Sequence, residues 1–447
     1  MKKSIPPKGQ VDNYKKIEIV KEEFTGKNLT SFGGAGLIRK FFQRHQLKKK
    51  IEQQVQIAGR RQCKFSVGGM LISLLYGLFL GYARPGQMGV LGTDRVFLKI
   101  AGFLYFPVQS TVSRFLSGLR VAVAQQIGLL NFNLLMQFRK GFQALRELTL
   151  DLDLHVTPVF GRQQRAAVGY NPKKKGRKCY QTMLCFLGET RDYLAGLFRS
   201  GNHHSSYQAV PFLKKILGKL PGHLKKIRLR ADSGFFSLEF LKFLVQRGIE
   251  FYVVVPLQPW VQKKIQMLKD WQQISRGIEV GEIPYLLAEG ITLRMVVIRK
   301  TVKGDEDPRK QLRLLGGEWA TYDYQVIVTN GPLVGEEVWH FYNQRACCEN
   351  FIKEGIYGLG LDKIISHSYG GNYTYFELLM LGYNLMNFFK EEVLNRKKVK
   401  PMMQTVRQMI FLVPGRLIRA AGRKWVLKLE QSWHYREEFE KALSRVV

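Results

Sequence analysis

Acid is what this chain is short of. Its 447 residues carry 35 Asp and Glu against 70 Lys and Arg, a net charge of +35 at neutral pH. A field of that sign attracts polyanions and releases their counterions on binding, so nucleic acid is the expected partner. Cysteine is scarce too. Cys63, Cys179, Cys185, Cys347 and Cys348 are odd in number, form no C-x-x-C pair and stand in no zinc spacing with His. That excludes a disulfide framework and a structural zinc site, and reduced thiols in a cytoplasm are expected. No apolar run reaches the ~20 residues that span a bilayer. The longest, residues 70–82, is interrupted by Gly77 and Gly81 and reads as a buried helix. The opening Met1-Lys2-Lys3-Ser4-Ile5-Pro6-Pro7 lacks the apolar core of a signal peptide. Basic amphipathic helices with Trp anchors are missing as well, which argues against a membrane partner.

What is present is ordinary globular composition, 45% hydrophobic, 12% aromatic and 23% charged. Residues 1–30 are polar and read as a flexible tail. Residues 31–147 show helical periodicity and are expected to be a DNA-binding region. Within it, Ser110 or Thr111 could cap a short helix; its Ser113, Arg114 and Ser117 suit a helix-turn-helix, though an ordinary capped helix fits slightly better. From residue 148 the pattern changes to strands at 148–154, 184–187 and 193–199, a helix at 206–217, a strand at 227–231, a helix at 238–246 and a strand at 251–255. Residues 257–330 read as a β-rich insertion with strands at 293–298 and 324–328. Helices return over 331–395, and 396–447 read as a basic, helical C-terminal region.

Three groups could carry chemistry. Asp151 and Asp153 leave the same face of a strand whose other face is leucine. A carboxylate there needs a partner, and a divalent cation and a neighbouring Arg serve equally well. Asp232 ends a strand in Arg230-Ala231-Asp232-Ser233-Gly234-Phe235, the position where ligands of α/β sheets gather. At 100° per residue, Tyr342, Arg345, Glu349 and Lys353 share one helix face; a solvated salt-bridge face is the plainer explanation of that group taken alone. Three runs, 161–178, 214–230 and 396–428, hold many Lys and Arg and no acid. Such runs, including Lys173, Lys174 and Lys175, read as phosphate contacts.

Taken together, Asp153, then Arg-Ala-Asp-Ser-Gly-Phe, then Tyr-x-x-Arg-x-x-x-Glu resembles the DDE transposases of bacterial insertion sequences, closest to the insertion-sequence-four group. Gly169-Tyr170-Asn171-Pro172, Arg199-Ser200-Gly201-Asn202 and Gly382-Tyr383-Asn384-Leu385 add to the match. The resemblance covers residues 70 to 430. It departs from the family at Leu154 and His155, where Ser and Thr are common, which leaves Asp151 and Asp153 both open as first carboxylate. It departs again at Ile356, where a Lys is usual and Lys353 is the nearest substitute.

The resemblance implies an α/β (α+β) fold: a helical N-terminal region, then a ribonuclease-H-like catalytic domain in two parts, 148–256 and 331–395, interrupted by the β-rich insertion. It implies Asp153, Asp232 and Glu349 as catalytic carboxylates holding Mg²⁺, with Mn²⁺ as alternative, for cleavage and strand transfer at the terminal inverted repeats. Tyr342, Arg345 and Lys353 would hold DNA, and Trp319 in the insertion would fill the gap left by a flipped base; a core role for Trp319 is the competing reading. The implied partners are double-stranded DNA, at element ends and target, and a second copy in a synaptic homodimer, with no small-molecule substrate. The implied location is the cytoplasm, on the nucleoid. A non-catalytic DNA-binding protein, a decayed transposase, is the alternative, and the intact carboxylate set argues against it.

Overall fold

The computed structural model describes residues 22–59, 63–139, 145–169, 171, 174–302, 322–396, 400–420 and 424–446, with 346–349 described in backbone only. Among the described residues the centre of the molecule is a ten-stranded sheet. In chain order its strands are β2 (Glu147–Pro158), β3 (Ala167–Val168), β4 (Lys178–Leu187), β5 (Tyr193–Ser200), β6 (Lys226–Ala231), β7 (Glu250–Val255), β8 (Gln272–Ser275), β9 (Ile278–Ala288), β10 (Ile291–Thr301) and β11 (Tyr322–Thr329). A short β1 (Leu29–Thr30) lies apart from them, beside a hairpin of β12 (Gly415–Arg419) and β13 (Trp425–Leu429).

The sheet order is β3-β4-β2-β6-β7-β11-β10-β9-β8, with β5 also on β4. β2, β4 and β5 are antiparallel neighbours, whereas β6 and β7 run parallel to β2. The parallel step from β6 to β7 is made by the helix Leu238–Gln246, whose Phe240, Leu241, Phe243 and Leu244 are buried and whose Ser237 caps it at the Phe240 N–H. The mixed sheet with its covering helices is the α+β fold that the resemblance implies. β2 is buried on both faces for most of its length, as a central strand must be.

The β-rich segment does not form a separate body. β11 pairs antiparallel with β7, so β11, β10, β9 and β8 prolong the central sheet. β9 is a strand the sequence hides, because Gly281 and Pro284 punctuate it. Pro284 is level with Arg294 of β10 on one side, and because β8 covers only Ile278 to Val280 of β9, its other side is an edge among the described residues, where Pro is tolerated.

The helices cover the sheet. Val67–Phe79, the long apolar run, is a buried helix capped by Ser66. No helix among the described residues is long and apolar enough to cross a membrane. The helix expected after Pro107 is Gln109–Ser117, but its N-cap is Val108 and neither Ser110 nor Thr111 caps it. Val121–Phe138 packs along Tyr369–Glu392, a 24-residue helix that is almost wholly buried. One hydrophobic core runs from Phe32 to Val446 through both the helical region and the sheet. The C-terminal segment holds the helix Arg436–Val446 and, unforeseen, the β12–β13 hairpin.

The family-like motifs outside the carboxylates are packing devices. A Cβ on Gly169 would sit 1.7 Å from the Gly201 carbonyl oxygen, so these two motifs touch backbone to backbone. Asn384 clasps β5: its side chain accepts from the Tyr193 N–H at 2.9 Å and donates to the Tyr193 carbonyl at 2.7 Å.

Candidate active site

The register of β2 against β6 builds the site. Asp151 is level with Arg230, and Leu152 with Ala231, the last residue of β6. One step further, Asp153 and Asp232 leave adjacent parallel strands, whose spacing is about 4.8 Å. Their neighbours settle different fates for the two β2 carboxylates.

Asp151 is 1% exposed and is gripped by Arg230, whose Nε and Nη2 donate to its two oxygens at 2.6 and 2.8 Å. Burial pushes the Asp151 carboxyl up and the Arg230 fork opposes this. A third nitrogen of Arg230, Nη1, donates to the Phe341 carbonyl at 2.7 Å, so the pair also ties the sheet to the helix Gly335–Asn343. Sequence reasoning left Arg230 among the phosphate contacts. The signal was there: it lies two residues before Asp232, on the same strand face.

Asp153 is 8% exposed, and Arg345 Nη2 lies 3.1 Å from its Oδ1. Arg345 also donates from Nη2 to the Leu152 carbonyl at 3.1 Å. Asp232 caps the turn Ser233–Phe235, accepting from the Gly234 N–H at 3.1 Å, while Ser237 takes the cap of the following helix. Desolvation raises the Asp232 carboxyl, and the charge of Arg345 and the Gly234 N–H only partly offset it. The Tyr342 hydroxyl lies 3.4 Å from the Ala231 carbonyl. Burial pushes its phenol up to about 12, with the charge of Arg345 working against this and Asp232 and Asp153 adding to it.

The helix that should align Tyr342, Arg345, Glu349 and Lys353 is broken. Gly335–Asn343 ends, Arg345 donates its N–H to the Tyr342 carbonyl at 2.8 Å in a three-residue step, and a second helix Ala346–Glu354 begins. The tightened step turns Tyr342 and Arg345 inward, where they are 6% exposed rather than open to a phosphate. Lys353 is exposed on the second helix. Glu349 lies on that helix, and its side chain is outside those described, as are Lys173 and Trp319 altogether. Ile356, at the family's Lys position, falls in a π-helical turn, Gly355–Leu359.

No cluster of three metal-ligating side chains occurs among the described residues. The donor set nevertheless fits a hard divalent cation. Two carboxylates stand on adjacent strands, Asp153 within β2 and Asp232 just past β6, and desolvation raises the Asp232 carboxyl.

The basic runs divide. In 161–178, Arg162, Arg165, Lys174, Lys175, Arg177 and Lys178 are all exposed. In 214–230, Lys214, Lys215, Lys219 and Lys225 are exposed. Lys226 and Arg228 are instead paired with Glu250, and Arg230 with Asp151. In 396–428, Arg416, Arg419, Lys424 and Lys428 are exposed, but Arg407 is buried against the carbonyls of Leu78, Phe79 and Gly358.

The family model for "Transposase DDE domain group 1" matches residues 10–447. Among curated proteins none matches. Among solved structures, the piggyBac transposase synaptic complex with hairpin DNA is similar at 10% identity and a TM-score of 0.48, over 84% of this chain and 80% of that one. The Drosophila P element transposase strand transfer complex is similar at 13% identity and a TM-score of 0.24, over 46% of this chain and 43% of that one. With the family match running across nearly its whole length, the chain belongs to the DDE-domain transposases, group 1.

Proposed function

We propose that this transposase serves a bacterial insertion sequence of the insertion-sequence-four-like kind, binding the terminal inverted repeats, cutting there and joining the ends to target DNA. One observation carries the reading. Asp153, where β2 runs past the end of β6, and Asp232, the first residue after β6, lie side by side across two adjacent parallel strands, while Asp151 is committed to Arg230. That favours Asp153 as first carboxylate, with Asp232 and Glu349 completing the set. These three would hold Mg²⁺, or Mn²⁺ in its place. When bound, such ions supply Lewis acidity to the attacking and leaving oxygens of phosphodiester transfer.

The rest is the work of this chain's own groups. Arg345 positions Asp153 by bonding both to it and to the Leu152 carbonyl behind it. Tyr342, kept protonated by burial, packs beside Arg345 and steadies the helix junction. Lys353 lies at an exposed position one turn beyond Glu349, where its positive charge would favour a phosphate. Lys174 and Lys175, with Arg177, line the DNA path. Two ends must be cut and joined, which calls for a pair of copies in a synaptic complex, working where the chromosome lies.

The test is Mg²⁺-dependent cleavage of DNA carrying the element's own ends. Asp153→Asn, Asp232→Asn and Glu349→Gln should each abolish cleavage and keep DNA binding. Full cleavage by any of them would remove that residue from the metal set. Wild-type protein that binds the ends but never cuts would leave the non-catalytic alternative.

A further inference from the structure

Phe160 follows β2 by two residues and is 68% exposed. A single exposed apolar residue is common on protein surfaces; what marks this one is its setting. The perch beneath it is firm: Val159 is 3% exposed, and its N–H donates to the Lys178 carbonyl at 2.8 Å, fastening the end of β2 to the start of β4. The ring is set among cations. Lys174 Nζ lies 4.5 Å from its centroid and the Arg177 guanidinium 4.7 Å. A shallow cleft of about 360 Å³ opens between Phe160 and the turn carrying Lys175, Arg177 and Lys178. Residues 159–178 contain no acid to quench that field.

A partner that suits this patch must bring negative charge and a flat π-face together. An acidic peptide brings only the first. A nucleotide brings both within one unit, and aromatic rings among cations are how proteins hold bases whose stacking has been disturbed. The location agrees. Phe160 lies two residues past the strand that carries Asp153, and the seven residues from Asp153 to Phe160 span at most ~23 Å at ~3.3 Å each. That is less than one turn of duplex DNA, ~34 Å. Resting on the DNA-cutting function proposed above, we infer that Phe160 stacks on an unstacked base of the bound DNA, while Lys174 and Arg177 swing to the flanking phosphates.

The test uses the full-length protein and two short duplexes, one fully paired and one with a two-nucleotide unpaired bubble containing 2-aminopurine. Wild type should prefer the bubble and quench its fluorescence. Phe160→Ala should weaken bubble binding roughly 10-fold and lose the quench, with an unchanged salt slope because every phosphate-binding cation is still in place. Phe160→Trp should restore both. The exposed position means that the Ala variant should melt like wild type, which checks folding. Salt-dependent binding with no bubble preference, or a Phe160→Ala protein that still quenches, would overturn the stacking role and leave DNA binding standing. A wild-type protein that binds neither duplex would overturn both.

Discussion

At the scale of single residues, two aspartates two positions apart have opposite energetics. Asp151 is one half of a buried ion pair, and removing one partner of such a pair leaves an uncompensated charge inside the protein, at a cost of roughly 3–5 kcal/mol. Asp151→Asn should therefore lower the denaturant midpoint sharply, and any loss of cleavage should follow the loss of fold. Asp232 is the reverse case, a desolvated carboxylate with too little positive charge nearby. Asp232→Asn should leave stability without metal unchanged or raise it; with Asp232 among the proposed Mg²⁺ ligands, Mg²⁺ should raise the melting temperature of wild type and not that of the variant. Equal midpoints for Asp151→Asn and wild type would show that the Arg230 pair is not structural. Equal Mg²⁺ stabilisation of wild type and Asp232→Asn would remove Asp232 from the metal site.

At the scale of elements, the helix Tyr369–Glu392 carries its own pH signature. Glu377 is wholly enclosed beside Tyr193, whose hydroxyl donates to it at 3.1 Å, and burial pushes its carboxyl up to about 8. A carboxyl with a raised folded-state pKa takes up a proton on folding, so its stabilising contribution is complete below the unfolded value and is lost as pH rises through about 8. One such proton corresponds to a slope of about 1.4 kcal/mol per pH unit. Glu377→Gln should flatten the fall in stability between pH 5 and 8, measured as the difference from wild type in denaturant titrations; parallel curves would mean that Glu377 is ionised in the fold. Elements with a pure period were legible in the sequence. The helix Leu238–Gln246 and the strands β6 and β7 have clean apolar spacing and clear stops at Ser237 and Pro256. β9 was not legible because Gly281 and Pro284 forbid a strand except at an edge, and edge status is a property of the whole sheet. The break at Gln344–Arg345 has no Gly or Pro to announce it; both residues keep right-handed helical angles, and only the three-residue hydrogen bond reveals the step. That Asp151 is taken up by a buried Arg could not be read, because it depends on the register of two strands that sets Arg230 beside it, 79 residues on in the chain.

At the scale of the molecule, net charge and usable charge differ. Affinity for DNA should drop by roughly 10³ or more between 50 and 200 mM salt, as expected when many cations sit on phosphates. Neutralising Lys174, Lys175 and Arg177 together should reduce the slope of log affinity against log salt by about 0.9 for each phosphate left without its cation. Neutralising Lys226 and Arg228, which serve Glu250 and Glu147, should cost stability and leave the slope alone. A slope unmoved by the first set and lowered by the second would reverse the assignment. The pairing of β1 with β12 bears on how such a molecule is made. Leu29 is among the first described residues to leave the ribosome, yet its strand partner Arg416 is synthesised 387 residues later. At 5–20 residues per second the wait is about 20–80 s. Through that interval the apolar faces of the N-terminal helices have no β12–β13 hairpin and no Tyr369–Glu392 helix to close against. A message broken before its last tenth would yield a nascent chain for chaperones and proteases, and no stable truncated fragment would accumulate beside the full-length protein.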